Sequence, residues 1–204
     1  MEKIKLLDGL FIYKTKIDVD KESLLSEIYL NIDINDSTMR YVKGLVGIQS
    51  SIIINGFYID ELLYKAITCI KTEFNIDNTN PYILDSWVYQ SENINNITAF
   101  HSHKTNPIKT VSKDLNIENE WTFTYYVQMP NNLKENDGYL TFKLPDNSLF
   151  SILPNEMELF VFPASLLHKP QLNKNSTIDR IVVGGNFVSF DVNKSYRKSK
   201  KTLI

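Results

Sequence analysis

The chain has 204 residues, 43% hydrophobic and 23% charged, with 11 Tyr, 11 Phe and 2 Trp. That balance excludes a disordered chain and supplies enough apolar material for one domain with a sizeable core. A formal net charge of −2 gives the body of the protein no attraction for a polyanion such as nucleic acid, and the single cysteine, Cys69, excludes an intramolecular disulfide and fits a reducing, cytoplasmic setting.

The opening residues, MEKIKLLDGLFIYK, break up their apolar positions with charges, so they lack the continuous hydrophobic stretch of a signal peptide. No apolar run approaches the roughly 20 residues needed to cross a bilayer, so no membrane partner is expected. The first third reads as helix-rich. In KESLLSEIYLNI the residues Leu24, Leu25, Ile28 and Tyr29 share one helical face. A stronger helix follows in GFYIDELLYKAITCIKTEF, where Ile59, Leu62, Leu63, Ala66, Ile67 and Ile70 recur at three- and four-residue steps and Cys69 takes a core position. Asn75 and the DNTNP that comes soon after supply its stop.

After Pro81 the texture changes to short β-branched and aromatic segments between turn clusters: YILDSWVYQ, ITAFHSH, EWTFTYYVQMP, GYLTFKLP, SLFSILP, MELFVFPA and RIVVGGNFVSFDV. The pattern predicts a mainly β sandwich or barrel with the two helices packed on its outside. One domain is expected over residues 1–193, its helical part ending near residue 80. A basic tail follows at 194–204, where Lys194, Arg197, Lys198, Lys200 and Lys201 leave about −7 on the rest of the chain. Such a tail reads as a solvated terminus. The polar stretch from Lys104 to Glu120 is expected to be a loop, either a lid over substrate or a solvated connection.

Only three histidines occur in the chain, and two of them stand one residue apart in ITAFHSH. On a strand, side chains alternate between faces, so His101 and His103 project to one side and Ser102 to the other. Two imidazoles then lie within reach of one ion. His168 follows the apolar strand MELFVFPA, and Arg180 opens the strand RIVVGGNFV twelve residues later. Taken singly, each has a plainer reading: edge-strand histidines, a residue capping the loop before Pro170, and a surface arginine pairing with Asp179. Together, every histidine of the chain falls into one candidate metal site.

The order His-x-His, a late His, and an Arg opening a strand RIVVGGN resembles the iron(II)- and 2-oxoglutarate-dependent oxygenases, especially their compact, phage-type, prolyl-hydroxylase-like group. GIQSS (47–51), WVYQ (87–90), TFTYYVQMP (122–130) and FVFPASLLHKP (160–170) match that group in the same order, so the resemblance spans roughly residues 45 to 190. It implies a double-stranded β-helix, or jelly roll, holding iron(II) at its open end. It also implies His101, His103 and His168 as metal ligands and Arg180 as the partner of the distal carboxylate of 2-oxoglutarate, a task suited to a planar guanidinium. The implied reaction is hydroxylation by molecular oxygen of a small-molecule or peptide substrate.

Two positions depart from the family pattern. Residue 103 is His where a carboxylate is commonest, and Val182 stands where a hydroxyl residue often helps the arginine. Tyr126 and Thr124, on the polar face of EWTFTYYVQ, are candidates for that help, with Asn186 behind them. Gln49 and Tyr89 read either as substrate-facing or as a helix cap and a core-edge residue. Two other functions remain open: a cupin-like, three-histidine dioxygenase that works without 2-oxoglutarate, and a non-catalytic jelly-roll binding module.

Overall fold

The computed structural model describes residues 1–31, 48–49, 56–74, 79–91, 99–103, 117–133, 137–171 and 178–191. Most of the polar stretch after His103, residues 104–116, and the basic tail lie outside them. The chain opens with β1 (Glu2–Leu7) and β2 (Leu10–Lys16), followed by α1 (Lys21–Asn31), β3 (Ile48–Gln49), α2 (Phe57–Glu73), β4 (Thr79–Ser91) and β5 (Ile117–Gln128). The remaining strands are β6 (Leu140–Lys143), β7 (Leu149–Ile152), β8 (Glu158–Pro163), β9 (Leu167–Pro170) and β10 (Arg180–Asp191). Seven strands form one sheet in the order β1-β2-β8-β5-β10-β4-β3, and β7-β6-β9 form a second. Every pairing is antiparallel. The two sheets face each other as a jelly roll.

Strict alternation builds the two layers of the core. On β5, Phe123, Tyr125 and Val127 turn to one face of the large sheet and pack with Val88, Ile181, Val183 and Phe187 against Leu24, Ile28, Ile59, Leu62, Ala66 and Ile70 of the helices. Tyr126 turns to the other face and packs with Val182, Phe160 and Phe162 against Leu140 and Phe142 of the small sheet. The expected placement of both helices outside the barrel holds. Cys69 is partly buried against the helix-side core. The helices are also joined end to side. Glu27 Oε2 of α1 accepts the backbone N–H groups of Tyr58 and Ile59 at 2.8 and 3.0 Å, capping an α2 that has no side-chain cap of its own.

Four expectations need correction. The N-terminal region is not purely helical: β1 and β2 form a hairpin around Asp8-Gly9, with Gly9 at φ 77°, and β2 extends the large sheet along β8. Residues 99–103, the described part of ITAFHSH, are not a ladder strand, because His101 makes only an isolated bridge to His168 while the N–H of His103 turns to Ala164 O at 2.9 Å. His168 lies within β9 rather than in a loop, paired with Phe142 of β6. The stretch after His103 ends earlier than Glu120, since β5 begins at Ile117, and Gln49 pairs in β3 with Tyr89 of β4.

Candidate metal centre and adjoining cavity

His101 and His168 are fixed to each other by their own main chains: His101 N–H donates to His168 O at 3.0 Å and His168 N–H to His101 O at 2.9 Å. Each ring is oriented by a carbonyl two residues earlier. His168 Nδ1 lies 3.0 Å from Leu166 O, and His101 Nδ1 lies 3.3 Å from Ala99 O. A carbonyl oxygen only accepts, so Nδ1 carries the proton in each and Nε2 keeps its lone pair. His103 completes the group, and ligand nitrogens of the three rings all lie within 4.8 Å of one another. That is a spacing one ion can bridge.

Burial sets the charge of these rings. Desolvation holds the His101 imidazole below its ordinary range, brings His103 down to about 4, and drives the 3%-exposed His168 well below it. The neighbouring imidazoles push His103 and His168 further the same way. At neutral pH all three are therefore neutral bases, the form that binds a transition metal.

The rings stand in a cavity of about 250 Å³ between the two sheets. Its wall on the large sheet comes from three adjacent strands whose same-face residues lie side by side: Trp87 and Tyr89 on β4, Gly184, Val182 and Arg180 on β10, Thr124 and Tyr126 on β5. Leu140 and Pro170 close it from the small sheet. Gly184, next to Trp87 at the metal end, and Arg180 are two side-chain repeats apart, about 13 Å along the strand. The cavity thus runs from three neutral nitrogen donors to a buried cation.

Arg180 is 2% exposed and donates Nη1 to Gln171 O at 3.2 Å, while the Asp179 carboxylate accepts Gln90 Nε2 at 2.7 Å. The surface reading of this arginine does not hold. Burial pushes the Tyr126 phenol up to about 12, so it stays protonated and able to donate. Thr124 Oγ1 is buried and makes no hydrogen bond to any described residue. Asn186 lies one row away: its Oδ1 accepts the Thr122 hydroxyl at 2.8 Å, its N–H donates to Asp85 Oδ1 at 3.0 Å, and it does not line the cavity. Trp87, Gly184 and Tyr89 are the wall residues to which sequence reasoning gave no role or only a weak one. Their signal was the period of two along β4 and β10.

No family model and no curated protein matches the chain. Solved structures do. A Pseudomonas putida prolyl-4-hydroxylase superposes with a TM-score of 0.59 at 12% identity, covering 87% of this chain and 91% of its own. A prolyl hydroxylase from Trichoplax adhaerens, in complex with a peptide fragment of the hypoxia inducible factor oxygen degradation domain, gives 0.56 at 15% identity over 91% and 86% of the two chains. The non-haem, α-ketoglutarate-dependent epimerase SnoN of nogalamycin biosynthesis gives 0.57 at 12% identity over 86% and 76%. At these identities the likeness is one of architecture: the chain carries the prolyl-hydroxylase-like fold of the iron(II)- and 2-oxoglutarate-dependent oxygenases.

Proposed function

We propose that the chain is a non-haem iron(II)- and 2-oxoglutarate-dependent oxygenase that hydroxylates a small-molecule or peptide substrate. The observation that carries this reading is the convergence of three neutral imidazoles at one end of a cavity whose other end holds the buried Arg180. The donor set suits a divalent transition metal, and the far end suits a carboxylate. His101, His103 and His168 would hold iron(II), which, when bound, supplies the redox chemistry that couples decarboxylation of 2-oxoglutarate to oxidation of a substrate C–H bond by oxygen.

The protein's own residues do the rest. Arg180 pairs with the distal carboxylate, and Thr124 Oγ1 and the protonated Tyr126 phenol supply donors from the neighbouring strand, replacing the hydroxyl absent at Val182. Tyr89, Val182 and Leu140 keep the cosubstrate's methylenes away from water. Trichoplax prolyl hydroxylase holds a peptide on this fold and SnoN is an epimerase, so the fold admits more than one substrate class and outcome. No helix among the described residues is long and apolar enough to cross a membrane. A lone cysteine and a ferrous site both suit a reducing, cytoplasmic setting.

The test is an anaerobic titration of the iron(II)-loaded protein with 2-oxoglutarate, following the visible metal-to-ligand charge-transfer band. Saturation in the wild type and at least a tenfold weaker response in Arg180→Ala are expected, since that change strands a carboxylate in a buried site. The all-histidine ligand set also favours a second reading, a three-histidine dioxygenase that binds its substrate directly. Iron binding without a band on addition of 2-oxoglutarate would select it.

A further inference from the structure

The three histidines are not held alike. His101 and His168 are each fixed by a main-chain bridge and by a ring nitrogen against a carbonyl. His103 has its main chain tied to Ala164 O, yet no hydrogen bond to its ring is made by a described residue. Its ring is held by planes instead. The Trp87 indole stacks on it at 5.0 Å between centroids and 14° between planes, and His168 lies on it at 5.0 Å and 19°. The ligand that departs from the usual carboxylate is therefore the one whose orientation depends on an aromatic neighbour.

The indole has room because of one residue on the next strand. Trp87 pairs with Gly184, and a Cβ at position 184 would stand 2.8 Å from the indole Cε2 and Nε1. Any side chain there forces the indole, and with it the surface on which the His103 ring stacks, to shift. Glycine within a strand usually weakens it, and its use often marks a place where another group approaches closely.

We propose that Trp87 is a positioning residue for His103, and that Gly184 is the notch that seats its indole. This rests on the reading of the three histidines as a metal centre. In a triad with a carboxylate, the third ligand can be oriented by hydrogen bonds to its second oxygen. A histidine in that place has one ligating nitrogen, and the flat contact with Trp87 fixes the ring plane from which that nitrogen reaches the ion.

Cobalt(II) binding to the metal-free protein tests this without turnover, by calorimetry for affinity and by the visible ligand-field spectrum for the third ligand. Trp87→Ala is expected to weaken cobalt binding about tenfold, as loss of an orienting partner does, and to move the spectrum towards that of His103→Ala. Trp87→Phe keeps a plane and should remain within about threefold of wild type. Gly184→Ala should weaken binding as Trp87→Ala does, and adding Trp87→Phe to it should restore most of the loss, because the smaller ring clears the methyl group. That rescue also guards against Trp87→Ala failing to fold, since a merely structural role for the indole would not return metal affinity. Wild-type affinity and spectrum in both Trp87→Ala and Gly184→Ala would overturn the proposal and leave the metal centre standing. No cobalt binding by the wild type would overturn both.

Discussion

His103 shows how one side chain reports its surroundings. Packed against Trp87 and beside two other imidazoles, it is brought down to about 4, whereas in the unfolded chain it titrates near 6.5. The unfolded state therefore takes up protons that the folded state refuses, and stability that is fully present above pH 6.5 is lost as pH falls towards 4. His101 and His168 act in the same direction, while Asp85, whose carboxyl burial pushes up, acts in the opposite one. Comparing variants separates them. Thermal melts of the metal-free protein between pH 7 and 4.5 should show a steeper fall in the wild type than in His103→Gln; equal slopes would mean that the ring is solvated before metal binds. At this scale the sequence was informative about identity and silent about support. Three histidines in an otherwise histidine-free chain announce a site, but the carbonyls of Ala99 and Leu166 that orient two of them carry no residue-type signature.

Secondary-structure elements were legible where periodicity is strong and hidden where pairing alone defines them. Both helices and the long strands β4, β5, β8 and β10 follow from runs of apolar residues at the right spacing. The four-residue β9 has one buried side chain, His168, and exists because β6 pairs with it. β1 lies at the edge of the sheet and is largely exposed, so its alternation is blurred, although Asp8-Gly9 between two apolar runs was a usable hairpin signal. The joint between α1 and α2 was also invisible, since nothing local marks Glu27 as the cap of a helix that starts thirty residues later. Gly56 belongs to the same joint, because a Cβ there would sit 2.7 Å from the Glu27 carboxyl carbon. Glu27→Ala leaves two N-terminal amides of α2 without this acceptor and should cost about 1 kcal/mol, read as a lower urea midpoint at unchanged slope. Glu27→Gln, which keeps an oxygen acceptor and loses the charge, should cost less.

Across the whole molecule, the candidate metal centre joins the small sheet to the segment that follows β4. His168 belongs to the small sheet, whereas His101 and His103 lie on the segment that follows β4 of the large sheet. The isolated bridge between His101 and His168 and the bond from His103 N–H to Ala164 O hold that segment to the β8–β9 corner. An ion bound by all three rings closes the same connection through side chains, and it does so only in the folded state, because the unfolded chain keeps His168 apart from His101 and His103. Binding to the folded state alone stabilises by about 2.7 kcal/mol at a metal concentration one hundred times the dissociation constant. For a chain of this length, each kcal/mol raises the melting temperature by about 2–4 °C, so saturating cobalt(II) should raise it by roughly 5–10 °C, and a chelator should reverse the shift. Removing a ligand from either side of the connection, with His101→Ala or His168→Ala, should abolish most of the rise. A rise that survives both substitutions would place the stabilising ion elsewhere on the protein and separate metal affinity from the three-histidine site.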